Sequence, residues 1–233
     1  MSDFESWYAM LDNGTLTIGF ACFCLLVTLT HLGCKIRLQN RVLQAVLRIT
    51  VIITAFGIAW YVLPFFTGKA YATMAHKIAN RPFAGEQQLR QASDYFSRAL
   101  ADGYWNNALL RDYSVSLVRL GEGQKAVDIM IQGPWQAETN PELMVPLSRA
   151  LLAAGNYERA IVIAGQAMQT ADEFTRFWAI RTIAEAHIAN NRPEAAATFL
   201  ENCLAGINDT ATQELLKHRI IQIRQGKKWL ETQ

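Results

Sequence analysis

LLAAGNYERAIVIA, residues 151–164, reads as the end of one helix, a tight turn at Gly155 and the opening of a second helix. Glycine takes a positive φ at no steric cost, so a helix can stop there and reverse. The same arrangement stands at LVRLGEGQKAVDIM from Leu117, and at HIANNRPEAAATFL from His187, where Asn191 takes the turn. Gly121 and Gly155 are 34 residues apart, as are Ala126 and Ala160, and Ala196 follows 36 later. Upstream, QASDYFSRAL puts Ala92 34 residues before Ala126, with Phe96 and Ala99 at helical offsets. A small residue is needed where two antiparallel helices cross closely, and the alanines supply it. A single helix pair cannot bury its own apolar face, so such units must stack. No alternating run argues for a strand.

A period of 34 made of a helix, a Gly or Asn turn and a helix opening on a small residue resembles the tetratricopeptide repeat. The resemblance covers about Phe83 to Leu204, over half the chain. Leu110, Met144 and Ile180 stand where that family has a large aromatic residue. Ser114, Ser148 and Ala184 stand at its Gly or Ala position, and Leu117, Leu151 and His187 at its Tyr position. Its inter-repeat proline is met only loosely, by Pro134 and Pro141. The resemblance implies an all-α solenoid of about three to four helix pairs over residues 69–208. Residues 209–233 then form a capping helix, with Asp209 or Thr210 as its cap and Leu215, Leu216, Ile220, Ile221 and Ile223 as its apolar face. In such arrays the first helix of each pair lines an inner groove. On this register Arg111, Val115, Arg149, Leu152, Trp178, Arg181, Glu185 and Ile188 face it. Three arginines among apolar neighbours suit a peptide carrying carboxylates, such as a C-terminus or an acidic helix.

Before the repeats, Ile49 to Gly68 carries no charge over twenty residues. At helical rise that length crosses a hydrocarbon core of about 30 Å. Thr15 to Cys34 is a second uncharged run, so residues 15–68 are expected to form a transmembrane hairpin. The loop between its crossings, 35–48, holds Lys35, Arg37, Arg41 and Arg48 and no acid. Residues 1–14 hold three acids and no base. The positive-inside tendency therefore puts the loop in the cytoplasm, and the N-terminus and the repeats on the periplasmic side of a bacterial inner membrane. Trp7, Tyr8, Trp60 and Tyr61 would share one interface as an aromatic belt. Pro64 marks a possible bend at the exit of the second crossing, and the first repeat borrows its first helix from the continuation of that crossing.

Lys and Arg number 22 against 20 acids, so the net charge of +2 creates no field that would draw nucleic acid. The four cysteines follow neither a disulfide framework nor a zinc or haem spacing. The four histidines, 31, 76, 187 and 218, are scattered, and His187 falls at a packing position, where a satisfied core histidine is expected. No nucleophile elbow, phosphate loop or HExxH is present, and acids are not paired. These features point away from an enzyme, a cofactor, a metal or a small-molecule substrate. They favour an adaptor that binds membrane or envelope proteins through its groove and its hairpin, with lipid around the hairpin. In layout the chain resembles the repeat-bearing subunits of Pel-type exopolysaccharide secretion and of cytochrome c maturation. The alternative is an accessory structural subunit of a larger integral-membrane complex, held mainly by the hairpin.

Overall fold

A computed structural model describes residues 41–226 apart from 82, 133–136, 171 and 208. The expected first crossing, the start of the basic loop, Trp7, Tyr8, Pro134 and the final residues 227–233 lie outside the described residues. Among the described residues there are nine helices and no strand. They are α1 Arg41–Ala79, α2 Glu86–Ala101, α3 Asn107–Arg119, α4 Gly123–Gln132, α5 Pro141–Ala153, α6 Tyr157–Thr170, α7 Glu173–Ala189, α8 Pro193–Leu204 and α9 Thr210–Arg224.

The chain divides into two compact units. Among the described residues, one holds Phe83 and those before it, with Gln91–Trp105; the other holds Ala84–Arg90 and those from Asn106 onward. In the first, α1 is one helix of 39 residues that contains the whole uncharged stretch and runs on, through Pro64, to Ala79. Residues 41–44, 46–48, 51–52, 55–56 and 58–64 belong to it with side chains outside the described ones. Among the described residues no helix is long and apolar enough to cross a membrane. The last turns of α1 form the first helix of a pair. Ala70, Met74, Ala75 and Ala79 are buried there, as are Ala92, Phe96 and Ala99 of α2. Tyr71 stacks on Tyr95 at 5.9 Å between ring centroids, and Thr67 Oγ1 donates to Asp102 Oδ2 at 2.6 Å. At the buried Gly68 a Cβ would come within 2.7 Å of Tyr104 Cβ, so only glycine allows this approach.

In the second unit α3–α4, α5–α6 and α7–α8 are antiparallel pairs, and α9 packs on α8. Each pair touches the next: α3 meets α5, α5 meets α7, and α4 and α6 each meet the first helix that follows. The turn within each pair is one motif used three times. Gly121, Gly155 and Asn191 have φ of 77°, 80° and 57°. The next amide reaches back to the helix, Glu122 to Leu117 O, Asn156 to Leu151 O and Arg192 to His187 O, at 2.8, 2.8 and 2.9 Å. This bond closes a helix on a left-handed residue and satisfies a carbonyl that would otherwise be orphaned. The N-termini of α3, α5, α7 and α9 are capped by Asn106, Asn140, Asp172 and Asp209, each accepting from a first-turn amide. An Asn cap stabilises a helix by about 1 kcal/mol over Ala.

The residues picked out by the 34-residue period fill the interior. Leu110, Met144 and Ile180 are buried, as are Ser114, Ser148, Ala184, Leu117 and Leu151. Ala126, Ala160 and Ala196, at the start of α4, α6 and α8, have no exposed surface. His187 departs from expectation. It is half-buried, its ring lies 6.5 Å from that of Phe199, and its Nδ1 is buried without a hydrogen-bond partner. Packing, not polar satisfaction, holds it. Of the five apolar residues expected on the inner face of α9, Leu216, Ile220 and Ile223 are buried, while Leu215 and Ile221 are exposed. Three residues at spacings of four and three cover the face α9 turns inward; the other two fall on its flanks.

Two glycines with opposite surroundings test this packing. At Gly123 a Cβ would lie 2.5 Å from the Ala153 carbonyl carbon, whereas at Gly165, inside α6, it would meet nothing within 4 Å. Gly123→Ala should lower stability by about 1–3 kcal/mol through overpacking, and Gly165→Ala should raise it by about 0.5–1 kcal/mol through helix propensity. Urea unfolding followed by circular dichroism should show the two midpoints moving in opposite directions.

Candidate functional site

The first helices α3, α5 and α7 stand side by side, so residues far apart in sequence share one face. Trp178, in the second turn of α7, is the centre of what gathers there. The Arg149 guanidinium, from α5, lies over its indole at 5.1 Å from the centroid, and that of Arg181 lies over it at 5.2 Å. Arg181 Nε also donates to Glu185 Oε1 at 2.7 Å, and these two side chains are only 18% and 24% exposed. The negative π face of an indole attracts cations by about 0.5–2 kcal/mol. It lets two like charges approach a common centre, where Glu185 balances one of them. Stacking on the indole fixes both guanidiniums, and the ion pair with Glu185 further fixes that of Arg181.

Towards α3 the face opens into a small cavity of about 70 Å3 lined by Ser114, Val115, Val118, Arg119, Pro146 and Arg149. Ser114 is buried, and its Oγ has no hydrogen-bond partner. Its neighbours in the repeat differ: Ser148 Oγ donates to Val145 O and Ser116 Oγ to Asp112 O, both at 2.8 Å. Buried hydroxyls are normally satisfied, so the one at Ser114 marks the floor of a polar niche in an apolar wall.

Of the eight residues expected in the groove, Val115, Arg149, Trp178, Arg181 and Glu185 form this connected set. Arg111 is exposed and its Nε bonds the adjacent Asp112 at 3.0 Å. Leu152 is half-buried on α5. Ile188 packs against the cluster built by Ile180, Leu200, Leu216 and Ile220, where α7, α8 and α9 meet. Among the described residues no group of three or more His, Cys, Asp and Glu could hold a metal ion. Cys203 is half-buried, and desolvation raises its thiol pKa, which favours the protonated thiol at neutral pH.

A second hollow escaped the sequence reading. It has a volume of about 530 Å3 and lies between the first turns of α7 and α9, with Phe174, Phe177, Ile180, Ile207 and Leu215 as its apolar lining and Glu173, Arg176 and Asp209 among its polar groups. The only sequence signal for it is a phenylalanine pair, 174 and 177, at the start of a helix.

Stacked antiparallel helix pairs define a helical-repeat fold among the described residues. Within that class, the family model for the tetratricopeptide repeat matches residues 151–216, from the end of α5 into α9. The matched residues 151–216 are thus similar to the tetratricopeptide repeat family. No curated protein and no solved structure matches the chain.

Two measurements check the local electrostatics. Arg149→Met should change the fluorescence maximum of the chain through Trp178 while leaving the helical circular dichroism intact. Asp209 accepts from the Thr212 hydroxyl and from the Thr212 and Ala211 amides, and these bonds hold its carboxyl below the ordinary value of 3.8. A depressed folded pKa contributes stability above the unfolded pKa and loses it as pH falls through the folded one. Asp209→Ala should therefore lower the unfolding midpoint at pH 7, and the gap from the parent chain should shrink once pH drops below about 4.

Proposed function

We propose that the chain is a membrane-anchored scaffold, without a catalytic role, that holds partner proteins on the face of α3, α5 and α7. The observation that carries this reading is the Arg149–Trp178–Arg181 stack, with the Ser114 niche beside it. Fixed cations over an aromatic ring, next to apolar walls, suit an extended or helical segment bearing a carboxylate. Tetratricopeptide repeats are protein-interaction modules, which agrees with a partner of that kind.

Anchoring rests on the uncharged stretch Ile49–Gly68, its continuity within α1, and the exposed Ile49, Ile53 and Phe65 on that helix. With Thr15–Cys34 it would make a two-pass hairpin in a bacterial inner membrane, its basic loop cytoplasmic and its repeats periplasmic. Tethering raises the effective concentration of the repeats near envelope proteins, so a modest affinity suffices. The complex served would be one such as exopolysaccharide secretion or cytochrome c maturation. The same exposed side chains on α1 favour a second reading, an accessory subunit held in a larger complex mainly through the hairpin.

Charge reversal separates the two readings. Arg149→Glu with Arg181→Glu should cut recovery of crosslinked partners from membranes at least fivefold, while the variant stays in the pellet after alkaline carbonate wash. Unchanged recovery would discard the groove, and release by carbonate would discard the anchor. A reporter fused after Gln233 that is active only in the cytoplasm would reverse the orientation.

A further inference from the structure

The hollow between α7 and α9 adjoins the Arg–Trp–Arg stack through Phe174 and Phe177 but is lined by none of its three residues, and it has the character of a socket for a side chain. At about 530 Å3 it is within the range of small-ligand sites, and its walls are mainly apolar. Phe174, on its rim, is 72% exposed and Leu215 is 44% exposed, so two large apolar side chains flank an unfilled hollow. Among its charged lining residues, Glu173 and Asp209 outnumber Arg176, and hydrogen bonds from Thr212 and Ala211 favour the ionised Asp209 carboxylate. The socket therefore asks for a segment with a large apolar side chain next to bases.

This chain carries such a segment. Residues 227–230 are Lys-Lys-Trp-Leu, directly after α9. We propose that this tail from a second copy of the chain docks in the hollow, with Trp229 and Leu230 among the apolar residues and Lys227 and Lys228 against Glu173 and Asp209. Leu215 lies within about 16 Å of Gly226, but reach keeps the bases of the chain's own tail from the Asp209 end of the hollow. Ala211 and Thr212 line the hollow some fourteen residues back along α9 from Gly226, about 21 Å at helical rise. Three extended residues carry Trp229 only about 10 Å from Gly226. Tail-to-socket contact is heterologous, so it builds a ring or an open row of copies according to whether the rotation closes.

The test uses two variants of the full chain in detergent micelles. One is Trp229→Ala, which keeps the socket and spoils the tail. The other is Phe174→Ser with Leu215→Ser, which keeps the tail and spoils the socket at two exposed positions outside the core. Sedimentation velocity should show concentration-dependent association of the parent chain, weakened at least tenfold in each variant alone. An equimolar mixture of the two should regain association, because intact tails meet intact sockets. A fluorescein-labelled peptide of residues 226–233 should bind the Trp229→Ala chain saturably and the socket variant at least tenfold more weakly. Parental association in either variant, no recovery in the mixture, or peptide binding indifferent to Phe174 and Leu215 would each overturn the proposal.

Discussion

Each helix pair of the second unit presents more apolar surface than its own partner helix can cover, and the next pair covers the remainder. That covering works only if backbones approach closely, which makes the small residues decisive. Ala126, Ala160 and Ala196 have no exposed surface where the second helices begin, and Gly123 sits so near the end of α5 that even a methyl group would collide. Larger residues, Leu110, Leu117, Leu143, Leu147 and Leu151, then fill the space between first helices. Burial of a leucine contributes about 1.5–3 kcal/mol relative to exposure, so the stack is held by packing. The exposed ion pairs that cross between repeats, such as Arg192 with Glu158, add little beyond it.

What could be read from the sequence follows from which constraints are local. The turns were legible because a left-handed residue is a property of the chain at one point: Gly121, Gly155 and Asn191 carry the positive φ their spacing implies. The buried alanines were legible because a crossing repeats with the period. The caps at Asn106, Asn140 and Asp172 are equally local, and they recur near the same spacing; their pattern was simply weaker than that of the turns. Side-chain meetings between helices were another matter. Arg149 and Trp178 are 29 residues apart, and nothing in either segment says that one lies over the other. Ser114 and Ser148 hold equivalent positions, yet only Ser148 finds a carbonyl, because the niche beside Ser114 depends on Pro146 and Arg149 from another helix. The hollow beside Phe174 is likewise made by the α8–α9 connection as much as by α7.

The two ends of the α7 face therefore differ in kind. At one end, charges are fixed by mutual contacts: Arg149 and Arg181 on the indole, Arg181 on Glu185. Their orientation is settled before any partner arrives, so little side-chain entropy remains to be lost on binding. At the other end, Phe174 and Leu215 are exposed, and contact there would gain by removing apolar surface from water. Phe174 and Phe177 each pack edge-on to Trp178, at 6.2 and 6.1 Å, so one aromatic group serves both ends.

That shared group sets a condition on how the face can work. If Trp178 moved to admit a ligand at the cationic end, the edge contacts to Phe174 and Phe177 would break and the apolar end would be reshaped. The backbone gives it little room: α7 is capped at both ends, by Asp172 and by the Asn191 turn, and Ala179, Ile183 and Ala186 are buried along its length. A rigid helix bearing a ring wedged among two arginines and two phenylalanines would recognise a ligand by matching a shape it already holds. If the face binds as proposed, selectivity would come mainly from what a partner must bring, an anion at one end and an apolar side chain at the other, set at the spacing that α7 dictates.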